Sequence, residues 1–142
     1  MIVVGSFDRS MVGTFKRTEQ YTIEDFDLVM NIIRRTDRIV TLSSILTEVS
    51  NLAGQLRDDV KSRCFAVFAR QIELMEEQQL LSADIARSDE FPRFGLTDAA
   101  ILKVAQSGRL VLTDDFRLSQ YIDSLGLPVL NFNHLRGPNL LR

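Results

Sequence analysis

The sequence is poor in the residues that build disulfide frameworks and zinc sites. It has one cysteine, Cys64, and one histidine, His134, and it contains no Cys-x-x-C pair. These counts exclude a disulfide framework and a zinc site of the usual spacing. A reducing compartment, the cytoplasm, is therefore the predicted location.

Long apolar runs and an excess of positive charge are also missing. No stretch approaches the roughly 20 apolar residues of a membrane helix, and the first residues lack the basic lead of a signal peptide, so we expect no membrane partner. A formal net charge of -2 excludes a strongly basic surface. Any contact with nucleic acid must then come from local lysines and arginines.

Enough apolar sequence is present for one domain with a proper core. The chain has 142 residues, of which 45% are hydrophobic, and it shows no repeats or linkers. We therefore predict a single domain over residues 1–142.

The C-terminal half carries the clearest pattern of secondary structure. Thr97 is a good helix cap, a continuous apolar run after Gly108 is typical of a strand buried on both faces of a parallel sheet, and Gly126 ends a second helix. The predicted elements are a helix over 97–107, a strand over 110–112, a helix over 116–125 and a strand over 128–132.

The N-terminal half predicts helices and one strand. Thr22 caps a helix that carries acidic residues in its first turn, and Ser43 and Ser44 cap another, whose apolar face is Ile45, Val49, Leu52 and Leu56. The remaining predicted elements are a strand over 39–42, a helix over 59–79, a strand or irregular connection over 80–85 and a loop over 87–93.

The first residues allow two interpretations. Met1 to Phe7 is either a first strand with Asp8 near its end, or the tail of a helix whose preceding strand is absent. We favour the helix because Gly5 and Ser6 interrupt the apolar run. The sheet would then lack a middle strand, as in a chain truncated at its N-terminus by a misplaced start site or a degenerate gene.

Acidic residues lie where the predicted C-terminal elements begin or end. Asp114 and Asp115 follow a strand, and Asp98 opens a helix. Parallel strands joined through helices bind ligands beyond their carboxyl ends, so these carboxylates could share one rim. Hard divalent ions prefer oxygen ligands, and the chemistry expected is a carboxylate-held Mg²⁺ or Mn²⁺ that activates water against a phosphodiester. The alternative is that Asp98 only complements a helix dipole and that Asp114 and Asp115 only cap the next helix.

Four segments in order resemble the PIN domain family of metal-dependent ribonucleases, which includes toxins of toxin–antitoxin pairs. They are SSILTEVSNL at 43–52, GLTDAAI at 95–101, LTDDFRL at 112–118 and GLPVLNFNHL at 126–135. The resemblance implies an α/β fold with a mainly parallel sheet flanked by helices in three α/β/α layers. By position it implies that Glu48, Asp98 and Asp115 are the catalytic metal ligands, with Asp114 as a secondary ligand.

The same resemblance sets the functional expectations. It implies a Mg²⁺- or Mn²⁺-dependent ribonuclease that hydrolyses RNA, with an antitoxin protein or a second copy of the chain as further partners. The sequence departs from the family at the front, where no clear strand ends in an aspartate. The alternative is therefore a catalytically inactive PIN-like module that binds or regulates.

Overall fold

The protein is an α/β structure in which every strand pairing among the described residues is parallel. A computed structural model describes residues 1–136 and contains eight α-helices and two two-stranded sheets in that range. The chain divides into two compact units, Met1–Gln78 and Gln79–Arg142. The predicted α/β class is confirmed, and the prediction of a single domain stays a prediction. No helix within residues 1–136 is long and apolar enough to cross a membrane.

The N-terminal unit contains four helices and one sheet. The sheet pairs β1 with β2 in the register Val40↔Glu76 and Leu42↔Gln78. The elements are α1 (Ile2–Phe7), a 3-10 turn (Arg9–Met11), α2 (Ile23–Ile33), β1 (Val40–Leu42), α3 (Ser43–Ala53), α4 (Asp58–Glu73) and β2 (Glu76–Gln78).

The core of the N-terminal unit forms where α1, α3 and α4 contribute apolar side chains. Its buried members are Val3, Val4, Leu56, Cys64 and Phe68, and Leu46 and Val49 of α3 pack against them. The predicted apolar face of α3 is therefore partly wrong. Leu46 takes the place of Leu52, whose side chain is 43% exposed.

The first residues are helical, as the sequence favoured. In α1 the glycine at position 5 is buried, and an added Cβ would lie 2.4 Å from Cδ2 of Phe26 in α2. This close approach explains why a glycine stands inside a helix despite its low helix propensity. Asp8 follows α1, and its side chain accepts a hydrogen bond from the main-chain N–H of Ser10, which caps the 3-10 turn.

Within residues 79–136 the C-terminal unit contains four helices and the second sheet. Leu102, Ala105, Leu118 and Ile122 form its buried core, and β3 pairs with β4 in the register Val111↔Val129 and Thr113↔Asn131. The elements are α5 (Ser82–Ala86), α6 (Phe91–Ala105), β3 (Val111–Thr113), α7 (Phe116–Ser124), β4 (Val129–Asn131) and α8 (Phe132–Leu135).

The long helix predicted over 59–79 ends early. In the structure α4 stops at Glu73, and the next residues form β2, whose first N–H donates to the carbonyl of Ile39 at 2.8 Å. Glutamate and glutamine favour helices, but pairing with the neighbouring strand satisfies the backbone of this segment instead.

Two connections are more helical than predicted. The segment 80–85, expected to be a strand or irregular, contains the start of α5, and the loop expected over 87–93 contains the start of α6. Gly95 has a φ of +79° inside α6 and divides that helix into two segments. A left-handed φ is readily adopted only by glycine, so the break follows directly from this residue.

Three smaller predictions also need correction. The side chains of Ser43 and Ser44 do not cap α3, because Leu42 holds the N-cap position and makes no side-chain hydrogen bond there. Strand β3 is only partly buried along its length, and Leu110 before it is 54% exposed. The last predicted strand ends at Asn131, where α8 begins.

Candidate functional site

The carboxyl ends of β3 and β4 carry a dense set of polar groups. Because the strands are parallel and Thr113 lies opposite Asn131, the residues that follow both strands emerge at the same end of the sheet. Asp114 and Asp115 follow β3, and Asn133 follows β4. This end is where open α/β sheets usually bind ligands.

Asp115 acts as the N-cap of α7. Its Oδ1 accepts a hydrogen bond of 2.8 Å from the main-chain N–H of Leu118, and its own N–H donates to Oγ1 of Thr113 at 3.1 Å. Asp115 therefore does cap α7, and its predicted role as a metal ligand stays a prediction. The Thr113 hydroxyl fixes the main chain of Asp115, and the Asp115 side chain remains exposed.

Asparagine side chains form hydrogen bonds between the end of β4 and its neighbours. Nδ2 of Asn133 donates to the main-chain carbonyl of Asp114 at 2.7 Å. Nδ2 of Asn131 donates to Oγ of Ser119 at 2.7 Å, and both of these residues are buried. The sequence analysis did not select these residues, although Asn131 ends β4 and Asn133 follows it, much as Asp114 and Asp115 follow β3.

The other two predicted site residues lie on helices. Glu48 is an exposed residue of α3 in the N-terminal unit. Asp98 is half-buried in α6 of the C-terminal unit, three residues after the break at Gly95. It therefore lies in the first turn of the second helical segment, where a negative charge complements the helix dipole. Thr97 lies inside this turn and not ahead of it.

The donor atoms suit a hard cation, but their arrangement is not a ligand set. Carboxylate, hydroxyl and amide oxygens at the β3–β4 end are the ligands that Mg²⁺ and Mn²⁺ prefer. Among residues 1–136, however, no group of three or more His, Cys, Asp or Glu side chains could hold a metal ion. Asp114 and Asp115 are adjacent, yet Oδ1 of Asp115 is engaged as a helix cap. The structure therefore does not define a metal-dependent step.

Asp8, the aspartate nearest the N-terminus, is fully exposed. Hydrogen bonds from the hydroxyl of Ser10, at 2.7 Å, and from its main-chain N–H, at 2.9 Å, lower the pKa of the Asp8 carboxyl. Asp8 is therefore a solvated residue that caps the turn after α1, and it does not end a strand.

An arginine–aromatic cluster, formed by Arg93, Phe94, Arg117 and Tyr121, lies in the same unit. The Phe94 and Tyr121 rings are 5.0 Å apart between centroids. The guanidinium carbon of Arg93 lies 4.7 Å from the Tyr121 centroid and 5.2 Å from that of Phe94, and the guanidinium carbon of Arg117 lies 5.0 Å from Phe94. Sequence reasoning missed this cluster, although Arg117 and Tyr121 have the i, i+4 spacing that places side chains together on a helix.

Phe116 is an exposed aromatic residue that lies between Asp115 and Arg117 in the chain. It is the first residue of α7, its side chain is 56% exposed, and its ring meets His134 edge to face at 6.3 Å between centroids. His134 is also exposed.

Comparison with known protein-family models, curated proteins and solved structures finds no match to this chain.

Proposed function

We propose that the protein is a PIN-type ribonuclease that hydrolyses RNA phosphodiesters with Mg²⁺ or Mn²⁺, and that its fold is the three-layer α/β/α arrangement of that family. Glu48, Asp98 and Asp115 are the proposed metal ligands, with Asp114 as a secondary ligand. A role as the toxin of a toxin–antitoxin pair, with an antitoxin protein as partner, is part of the same proposal.

The observation that carries this proposal is the parallel β3–α7–β4 unit with carboxylates at its carboxyl end. Asp114 and Asp115 follow β3 directly, Asn133 after β4 donates to the main-chain carbonyl of Asp114, and Asn131 at the end of β4 donates to Ser119 of α7. This polar end of a parallel sheet is the expected position for a phosphate-bearing ligand in an α/β fold. A bound divalent ion would supply an activated water and neutralise charge on the phosphodiester.

A second candidate is a catalytically inactive PIN-like module that binds RNA. It is favoured by the lack of a three-ligand group among residues 1–136 and by the use of Asp115 as a helix cap. Such a module would keep the α/β scaffold and bind RNA without cleaving it.

Metal titration and cleavage assays on the full chain separate the two candidates. Calorimetry should show saturable Mn²⁺ binding, and a fluorophore-labelled single-stranded RNA should be cut in Mn²⁺ but not in EDTA. Asp98→Asn and Glu48→Gln should each remove Mn²⁺ binding. Each should also lower the cleavage rate at least about 100-fold, because small misplacements of the reacting groups reduce a rate by about that factor.

Asp123→Asn is the matched control, because Asp123 is an exposed carboxylate of α7 in the same unit as Asp98. It should bind Mn²⁺ and cut RNA like the unchanged chain when purified in the same way. RNA binding without cleavage or Mn²⁺ binding would support the inactive module. Cleavage that survives both Asp98→Asn and Glu48→Gln would refute the proposed ligands.

A further inference from the structure

The arginines of the arginine–aromatic cluster bring two positive charges together without a carboxylate to balance them. Arg93 and Arg117 are exposed, and neither forms an ion pair within residues 1–136. Both guanidinium carbons lie within 5.2 Å of the Phe94 centroid, so they are at most twice that distance apart. Salt screens the repulsion between two exposed charges at the upper limit of this distance, since the Debye length is about 8 Å at physiological salt, but an anion that contacts both groups still meets two positive charges.

The rings hold these guanidinium groups in place. Arg93 contacts both Phe94 and Tyr121, and Arg117 contacts Phe94. Such contacts favour these positions of the guanidinium groups and leave N–H donors at their edges, and the planar fork of donors matches phosphate oxygens. Arg87 of the same unit differs, because it donates to the carboxylate of Asp84 at 2.8 Å.

The exposed ring of Phe116 adds a surface for a base. It precedes Arg117 in the chain and stands at the start of α7, directly after Asp115. Proteins that bind single-stranded nucleic acid combine basic groups that contact phosphates with aromatic rings on which bases stack. Phosphate donors and an open ring on consecutive residues of one helix provide both parts.

We propose that Arg93 and Arg117 bind consecutive phosphates of single-stranded RNA and that a base stacks on Phe116. This inference deepens the proposed function by naming contacts of its substrate, but it involves none of the proposed metal ligands. Binding can therefore be measured in EDTA, where cleavage does not occur.

The test is fluorescence anisotropy of a labelled ten-nucleotide oligouridylate with the full chain in EDTA, at several salt concentrations. Arg93→Gln/Arg117→Gln should weaken binding at least tenfold at low salt. It should also reduce the slope of log affinity against log salt by about 1.4, because each lost phosphate contact on a single strand removes about 0.7. Phe116→Ala should weaken binding about 5- to 150-fold, as measured for base–aromatic stacking.

Arg70→Gln/Arg87→Gln is the matched control, because it removes the same charge from two exposed arginines that are paired with Glu73 and Asp84. It should change the affinity less than twofold. If thermal melting shows that the cluster double variant is unfolded, Arg117→Gln alone should still reduce the salt slope by about 0.7.

Equal affinity losses in the cluster variant and the control would overturn the inference, as would a full-length chain that binds no oligouridylate at low salt. Tighter binding to an acidic peptide than to oligouridylate would overturn it in favour of a protein partner. Binding in EDTA that depends on the arginines, together with no cleavage of RNA by the unchanged chain in Mn²⁺, would leave the inference standing and refute the proposed ribonuclease.

Discussion

The contact between Gly5 and Phe26 predicts that a single added methyl group destabilises the N-terminal unit. In Gly5→Ala the new Cβ would meet three atoms of the Phe26 ring at 2.4, 2.7 and 2.9 Å, well inside ordinary carbon contact. The ring is 6% exposed and cannot swing into solvent, so the substitution overpacks the contact.

The expected magnitude follows from two opposing terms. Overpacking a well-packed contact costs about 1–3 kcal/mol, and three short contacts place this site near the upper end. Alanine in a helix gains about 1 kcal/mol over glycine. We therefore expect Gly5→Ala to lower the free energy of unfolding by about 2 kcal/mol, which would lower Tm by about 4–8 °C for a chain of this size.

The assay is thermal and urea unfolding followed by circular dichroism. Gly13→Ala is the control, because its added Cβ would meet nothing closer than the carbonyl of Tyr21 at 3.6 Å. It should leave Tm unchanged or raise it slightly. Phe26→Leu should offset part of the Gly5→Ala cost, with a coupling of at least about 1 kcal/mol in a double-mutant cycle. A Gly5→Ala chain that melts no lower than Gly13→Ala would refute the close α1–α2 contact.

Three further predictions concern stability. Asp115→Ala should lower the free energy of unfolding by about 1 kcal/mol, because it removes the cap on the Leu118 N–H, whereas Asp115→Asn should keep the cap. Burial raises the pKa of the Cys64 thiol above its ordinary value of 9.0. The folded state thus keeps a proton that the unfolded state releases, and stability should fall as the pH rises past about 9. Asn131→Ala should cost about 1–3 kcal/mol in urea unfolding, because it removes the buried hydrogen bond to Ser119.

Each of these predictions has its own control. Equal stability of the two Asp115 variants would contradict the capping role. Cys64→Ala should flatten the loss of stability at high pH, and an unchanged pH slope would mean that other groups cause it. In a double-mutant cycle Asn131→Ala and Ser119→Ala should couple, whereas additive effects would show that their hydrogen bond contributes nothing.

The sequence by itself determined most elements whose signals are local. Thr22 caps α2, and its side chain and that of Asp25 exchange hydrogen bonds with the main chain, as a capping box requires. Gly126 has a φ of +69° just after α7, which is why the predicted helix ends there. The short strand before Asp114 was also predictable, because an apolar run of this length between a glycine and polar residues is typical of a strand and too short for a helix.

Only the tertiary structure decided features that depend on a partner distant in the sequence. Glu76 lies in a strand because Val40 pairs with it, although its neighbours are typical of a helix. Leu46 lies on the buried face of α3, where Leu52 was predicted, because that side of the helix packs against the apolar side chains of α1 and α4. The arginine–aromatic cluster likewise depends on α6 bringing Phe94 beside Tyr121, a contact that no local pattern of residues specifies. Capping and turn preferences act within a few residues, whereas strand pairing and burial depend on which distant surfaces meet, and this is why the sequence predicted the former and missed the latter.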